Sequence, residues 1–390
     1  MSRAATGRIA VMPEPGARFE IREVPLPEPA PGELLVEVVQ SNICGSDLHL
    51  WRGEMAPGFP RDVVLGHEMV GRVLSAGPGA KRDSAGRPIG EGDPVVFRYY
   101  EPCGHCPSCA RGLFHHCAGS LASVLRQASA PPYLVGGFAS HYLVTAGRAR
   151  FALGGEVAPE VAAGANCALS QVIHGLLEAR LRPGESVVVQ GCGGLGLYAV
   201  AVARSMGAGL VVALDRVASR LELARRFGAD HVVDASEVTE PKERTKAVRE
   251  LTGGEGADVV VEVVGRAAVI PEGLRMLARG GRYLEMGSIV PRDRAEVDAS
   301  ILVGANQSIL GVSLYPDRAL MEAIHFLSTT NAPVGELVGA VYPLEEVDEA
   351  MAAADALQRE GVSVGRVGLS AAQLTSTARS TAEERKGTER

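Results

Sequence analysis

Seven cysteines carry most of the chemical information in this sequence, and four of them fall within fifteen residues. Cys103, Cys106, Cys109 and Cys117 are spaced C-x2-C-x2-C-x7-C. Short steps let successive thiolates curl round one ion, and a fourth from a nearby loop closes a tetrahedron, the geometry of a structural zinc site. Two disulfides would need an oxidising compartment, and the N-terminus carries no secretory pattern. An iron–sulfur cluster fits less well, because proline follows the second thiol rather than the last. His105, His115 and His116 are read as solvated loop residues, since four thiolates already satisfy the ion.

Cys44 and Cys167 stand apart, with Gly66-His67-Glu68 between Cys44 and the quartet. Thiolate and imidazole are donors zinc prefers, so these residues suggest a second site, open to substrate. Cys192 is left over, and its surroundings point to a different ligand. Gly191-Cys192-Gly193-Gly194-Leu195-Gly196 matches G-x-G-x-x-G after an apolar strand and ahead of a helix, the setting a dinucleotide loop requires. Gly191 is expected to make the tight turn, Gly193 to admit the diphosphate and Gly196 to allow close packing. Gly194 and Leu195 open the helix whose free N–H groups favour an anion, and Cys192 contributes its small size. Asp215 follows Gly196 by nineteen residues, at the end of the next strand. A carboxylate there accepts ribose hydroxyls and repels a 2′-phosphate, so NAD is expected over NADP. Arg216 and Arg220 pull toward NADP.

The elements that must position these groups change in texture near residue 166. Before it the chain is rich in Pro and Gly and carries short alternating strands such as 33–39, as in a β-rich domain. After it, apolar runs at 186–190, 210–214, 259–264, 283–286 and 308–312 alternate with helical spacing, for instance at 197–206. Such alternation predicts an α/β fold with a doubly wound parallel sheet. We divide the chain into 1–165, 166–312, a return segment 313–369 ending in a strand near 365–368, and a disordered tail 370–390. Residues 82–87 read as an exposed loop.

Composition fits a chain of about two domains, with 390 residues, 46% apolar and 47 glycines. The net charge of −7, with basic residues spread out, argues against a nucleic-acid surface. No apolar run is long enough for a spanning helix. A soluble, cytoplasmic protein is expected.

Taken together, the quartet, Gly66-His67-Glu68, Cys44-Gly45-Ser46-Asp47-Leu48-His49 and the glycine loop resemble the zinc-dependent medium-chain alcohol dehydrogenases, over residues 8 to 368. The resemblance implies a GroES-like β-rich catalytic domain interrupted by a Rossmann domain. It implies Cys44, His67 and Cys167 as ligands of a catalytic zinc, with Glu68 as an alternating or outer ligand. Asp47 would orient the His67 ring. Residues 168–174 look instead like the polyol-dehydrogenase branch, where glutamate usually takes the position of Cys167. Ser46 stands where relatives carry a relay hydroxyl, and His49 where some carry the histidine that delivers the proton to solvent. Trp51 and Tyr99 resemble substrate-facing positions, with Tyr133 or Leu302 as further candidates. The implied activity is hydride transfer between a primary or secondary alcohol and NAD, giving aldehyde or ketone. A polyol, cyclitol or amino-alcohol substrate is the alternative. The small-molecule enzyme would hold two Zn2+ per chain and assemble as a homodimer or homotetramer.

Overall fold

A computed structural model describes residues 5–55, 61–360 and 365–371. Its parallel sheet has six strands in the spatial order His231–Asp234, Leu210–Asp215, Ser186–Gln190, Ala257–Glu262, Leu277–Glu285 and Ser308–Gly311. All neighbouring pairs are parallel. The reversal between Ser186–Gln190 and Ala257–Glu262 makes the switch point at which doubly wound sheets bind ligands. Alternation within Ser186–Gln190 sends Val187 and Val189 to one face and Val188 to the other, and each face has its own buried cluster.

A seven-stranded sheet gathers the earlier residues. Leu34–Asn42 pairs antiparallel with Glu68–Ala76, with His141–Val144 and with the last strand, Arg366–Ser370. Chain from either side of the parallel sheet therefore meets in one layer. A smaller sheet joins Thr6–Met12 to Glu20–Pro25 and Val63–Val64. One apolar cluster runs from Val36, Val70 and Phe97 through Ala162–Leu169 to Val187, Val189 and Leu197. The two large sheets are thus joined by continuous packing rather than by a loose linker.

Three expectations change in detail. The helix expected over 197–206 runs from Gly194 to Ser205, because the loop glycines themselves take helical geometry. Residues 82–87 are not simply an exposed loop. They wrap the buried Asp83, whose carboxylate accepts the N–H groups of Ala85 (2.9 Å), Arg87 (2.8 Å) and Ala152 (3.2 Å). Of the tail expected from residue 370, Ser370 closes the last strand, and 372–390 lie outside the described residues. Among the described residues no helix is long and apolar enough to cross a membrane.

Candidate active site

Cys44 lies just before the helix Gly45–Trp51, His67 follows the turn at Gly66, and Cys167 sits on a wide π-type turn, Ala165–Leu169. Three separate segments thus bring one donor each, and the ligand atoms all lie within 4.8 Å of one another. Gly66 has φ +86°, and a Cβ there would come 2.4 Å from the Phe138 ring. Glycine is therefore required beside His67. Asn166 anchors the turn that carries Cys167: its side chain accepts the Met69 N–H (3.2 Å) and donates to the Phe97 carbonyl (3.1 Å). Single π-turns of this kind recur at functional sites.

Asp47 ties the first two donors together. Its carboxylate accepts the N–H of Cys44 (2.9 Å) and of Gly66 (3.2 Å), and lies 3.3 Å from Nδ1 of His67. A carboxylate on Nδ1 leaves Nε2 as the donor nitrogen. Ser46 Oγ stands 3.4 Å from that Nε2. Burial works against a charged His67, but Asp47 and Cys44 outweigh it and hold its pKa up at about 10. The hydrogen bond between the two thiols draws Cys44 well below its ordinary value and pushes Cys167 up. Two thiols and an imidazole so poised suit a zinc ion, whose binding would expel the protons they hold.

The quartet meets a stricter geometric test. Four sulfurs about 2.3 Å from one ion at tetrahedral corners stand about 3.8 Å apart. The Sγ separations are 3.5 Å for Cys103–Cys117, 3.6 Å for Cys106–Cys109 and 4.0 Å for Cys103–Cys109. The Cys103 N–H donates to the Cys117 sulfur at 3.3 Å, and this bond pulls the Cys117 thiol down to about 6. Of the neighbouring histidines, His105 and His116 are exposed. His115 is not a solvated loop residue: it is partly buried, its ring centroid 5.0 Å from that of His174, and burial lowers its pKa to about 4. The lobe docks through it onto the helix Ser170–Glu178.

At the glycine loop, Gly191 has φ +96°, and a Cβ on Gly196 would fall 1.8 Å from the Gly191 carbonyl oxygen. A Cβ on Gly193 would meet nothing within 4 Å, so the loop leaves room for a diphosphate at the N-terminus of the Gly194–Ser205 helix. Leu195 packs against the near-face cluster. Asp215 is buried and receives the N–H of Cys192 (2.7 Å) and of Val217 (3.0 Å), which fix its carboxylate at the strand end. Arg220 Nη1 lies 3.9 Å from it. The second nitrogens of Arg216 and Arg220 donate to the carbonyls of Arg359 and Leu357, both at 2.7 Å.

Glu68 does not join the converging donors. Its buried carboxylate pairs with Arg366, whose guanidinium also lies against Gly194 of the nucleotide loop. Sequence reasoning missed Arg366, which sits on the last strand with no motif around it. Tyr99 lies beside the donors, its ring 4.9 Å from the His67 ring, and packs on Tyr100 and Tyr315. Burial raises its pKa well above the ordinary value, so the hydroxyl stays neutral. Tyr315, also missed, donates its hydroxyl to the Asn166 carbonyl beside Cys167. Trp51 and Tyr133 pack elsewhere, against a cluster with Leu48, Leu134 and Met351, and Leu302 packs on the far face of the parallel sheet. His49 pairs through Nδ1 with Glu54 at 2.5 Å.

A further carboxylate pair lies at the C-terminal ends of two adjacent strands, where the buried Glu262 and the half-buried Glu285 stand in register. Glu262 accepts the N–H groups of Val264 (2.6 Å) and Gly265 (2.9 Å), and Glu285 those of Gly287 (3.1 Å) and Ser288 (2.9 Å). Burial first, and then Glu285, push Glu262 up to about 8.

Comparison with known proteins identifies the family. Residues 30–153 match the alcohol dehydrogenase GroES-like domain, and residues 194–329 match the zinc-binding dehydrogenase domain. The chain is 33% identical over 349 residues to a 5-exo-hydroxycamphor dehydrogenase of Pseudomonas putida, covering 88% of this chain and 94% of that one. It is 32% identical to an erythritol/L-threitol dehydrogenase of Mycolicibacterium smegmatis, covering 85% and 90%. The solved structure of an alcohol dehydrogenase from Thermotoga maritima superposes with a TM-score of 0.85 at 29% identity, covering 94% of this chain and all of that one. The chain therefore belongs to the zinc-dependent medium-chain dehydrogenase family, oxidoreductases that act on CH–OH groups.

Proposed function

We propose that this dehydrogenase oxidises an apolar secondary or primary alcohol with NAD, and that Cys44, His67 and Cys167 hold its catalytic zinc. The convergence of these three donors, in a chain whose glycine loop opens the Gly194–Ser205 helix, carries the reading. Zinc held there supplies Lewis acidity toward an alcohol oxygen, and a bound nicotinamide accepts hydride. Asp47 keeps His67 in the tautomer that presents Nε2. Ser46, beside that nitrogen, accepts the proton of the alcohol as its own hydroxyl proton moves on to His49, three residues along the same helix face, which releases one to water. Tyr99, Tyr100 and Tyr315 wall the donors with aromatic surface and keep water out. Arg366 and Gly191–Gly196 cradle the diphosphate, and Asp215 with Arg220 faces the adenosine ribose. Cys103, Cys106, Cys109 and Cys117 hold a second, structural zinc.

The tyrosine wall favours a hydroxylated ring over a chain of hydroxyls, in line with the hydroxycamphor relative rather than the tetritol one. The units 1–165 with 313–369, and 166–312, are read as catalytic and nucleotide-binding domains. The sheet edge at Ser308–Gly311, with Ile309 and the nearby Val303 exposed, suits a homo-oligomeric contact. The test is zinc-loaded protein assayed with NAD and NADP against alicyclic, benzylic and polyol substrates, following NADH or NADPH absorbance. We expect alicyclic alcohols to be preferred, and NAD to exceed NADP by at least about tenfold in kcat/KM. Turnover of erythritol alone would favour the polyol reading, and no turnover of any alcohol or carbonyl would end both.

A further inference from the structure

Beyond the helix Gly45–Trp51 the chain folds back at Gly53, which has φ +70°, and the Glu54 N–H donates to the His49 carbonyl at 2.9 Å. This return brings the Glu54 carboxylate over the imidazole, with Oε2 2.5 Å from Nδ1. Arg52 braces the carboxylate from the other side, with Nη1 3.7 Å from Oε2. Its Nε donates to Asp355 Oδ1 at 2.6 Å, on the helix Val347–Glu360, and Asp355 also receives Nε of Arg359 at 3.2 Å. Glu54 is thus fixed by a local turn and by a cation that is itself anchored to another element.

We propose that Glu54 is the positioning residue of the proton relay: it holds the Nδ1–H of His49, so that Nε2 is the nitrogen that takes and releases the proton. The proposal rests on the reading of His49 as the relay base. The step balances simply. One proton reaches Nε2 from the Ser46 side, the imidazolium is stabilised by the adjacent carboxylate, and Nε2 returns one proton to water. Burial opposes the ionised Glu54, but His49, Arg52 and Arg359 outweigh it and keep the carboxylate charged at neutral pH. The charged groups around the His49–Glu54 pair are therefore Arg52 on its own segment, and Asp355 and Arg359 on the Val347–Glu360 helix. An imidazole with a carboxylate on one nitrogen is a stronger base at the other, and it is held in one orientation.

The experiment compares full-length, zinc-loaded wild type with E54Q, E54D, H49Q and the double variant H49Q/E54Q in pH profiles of alcohol oxidation. E54Q is expected to lower kcat about tenfold and to alter the limb of the profile that rises with pH. The melting temperature, zinc content and KM for NAD should stay unchanged. E54D, which restores the charge, should recover most of the limb position. In H49Q, already slowed about 100-fold, adding E54Q should cost nothing more. E54Q leaving kcat and the limb unmoved while H49Q is slow would overturn the role of Glu54. So would an equal E54Q effect in the H49Q background together with a lower melting temperature. H49Q with wild-type kcat would instead remove the relay reading on which the proposal stands.

Discussion

Cys103, Cys106, Cys109 and Cys117 come from one short stretch of chain, whereas Cys44, His67 and Cys167 come from three segments more than a hundred residues apart at the extremes. The quartet sits on a surface lobe, with Cys103 exposed and little between it and solvent. The trio lies against the largest apolar cluster, which includes Cys167, and is held by Asp47 and Asn166 through hydrogen bonds to backbone of other segments. Four donors from a local loop can close round an ion as the loop forms, and they leave no position for substrate. Three donors held by a folded core stand where the core, not the ion, sets them, and they offer one ligand fewer than a closed tetrahedron needs. On the function proposed above, thiolates therefore serve as a staple in one place and as part of a reaction centre in the other.

Several substitutions can break this contrast. The largest effect is expected from C44S, H67A or C167S, each lowering kcat by at least about 10³-fold. Metal analysis of these variants should find one zinc per chain lost and one retained. C109S should do the reverse: it removes the other ion and lowers the melting temperature and yield, while the folded fraction keeps most of its turnover. Equal loss of activity in both sets would erase the distinction. D47N comes next, since it keeps the shape but weakens the hold on Nδ1 of His67; activity or zinc affinity should fall about 10–100-fold. A chelator titration sharpens the point, because the open trio should lose its ion, and the protein its activity, before the melting temperature drops. H115A should be the smallest change. It removes the edge-to-face contact with His174 and should destabilise the lobe by about 1 kcal/mol, read by thermal unfolding, with kcat intact.

The contrast also explains what could be read from the sequence. The quartet and the glycine loop are local patterns, so spacing and immediate context were enough to suggest them, and the strand–helix alternation marked the parallel sheet by its period. Arg366, Tyr315 and Glu54 carry no such pattern. Arg366 reaches Glu68 from about three hundred residues away by strand pairing, and Tyr315 reaches Asn166 only after both sheets have packed. Trp51 shows the opposite error: its place near the relay residues suggested the pocket, but the helix turns its ring toward the small-sheet cluster. His115 was read as solvated because its neighbours are thiolates. Which surface a lobe docks on is a tertiary fact, and nothing in the local run encodes it.

The register of Glu262 against Glu285 has a consequence for where the enzyme can work. Glu262 keeps its proton up to about 8 in the fold, against an ordinary value of 4.5, so the folded chain holds a proton that the unfolded chain gives up. The stability this proton supplies is complete below the ordinary value and drains away as pH rises toward 8. E262Q, neutral at every pH, should flatten that slope in thermal unfolding and outlast wild type at alkaline pH. Alcohol oxidation releases a proton, so alkaline conditions pull it forward, toward the range in which the two strand ends begin to repel. Thermal unfolding of wild type and E262Q across that range measures how much stability the sheet gives up where oxidation is favoured.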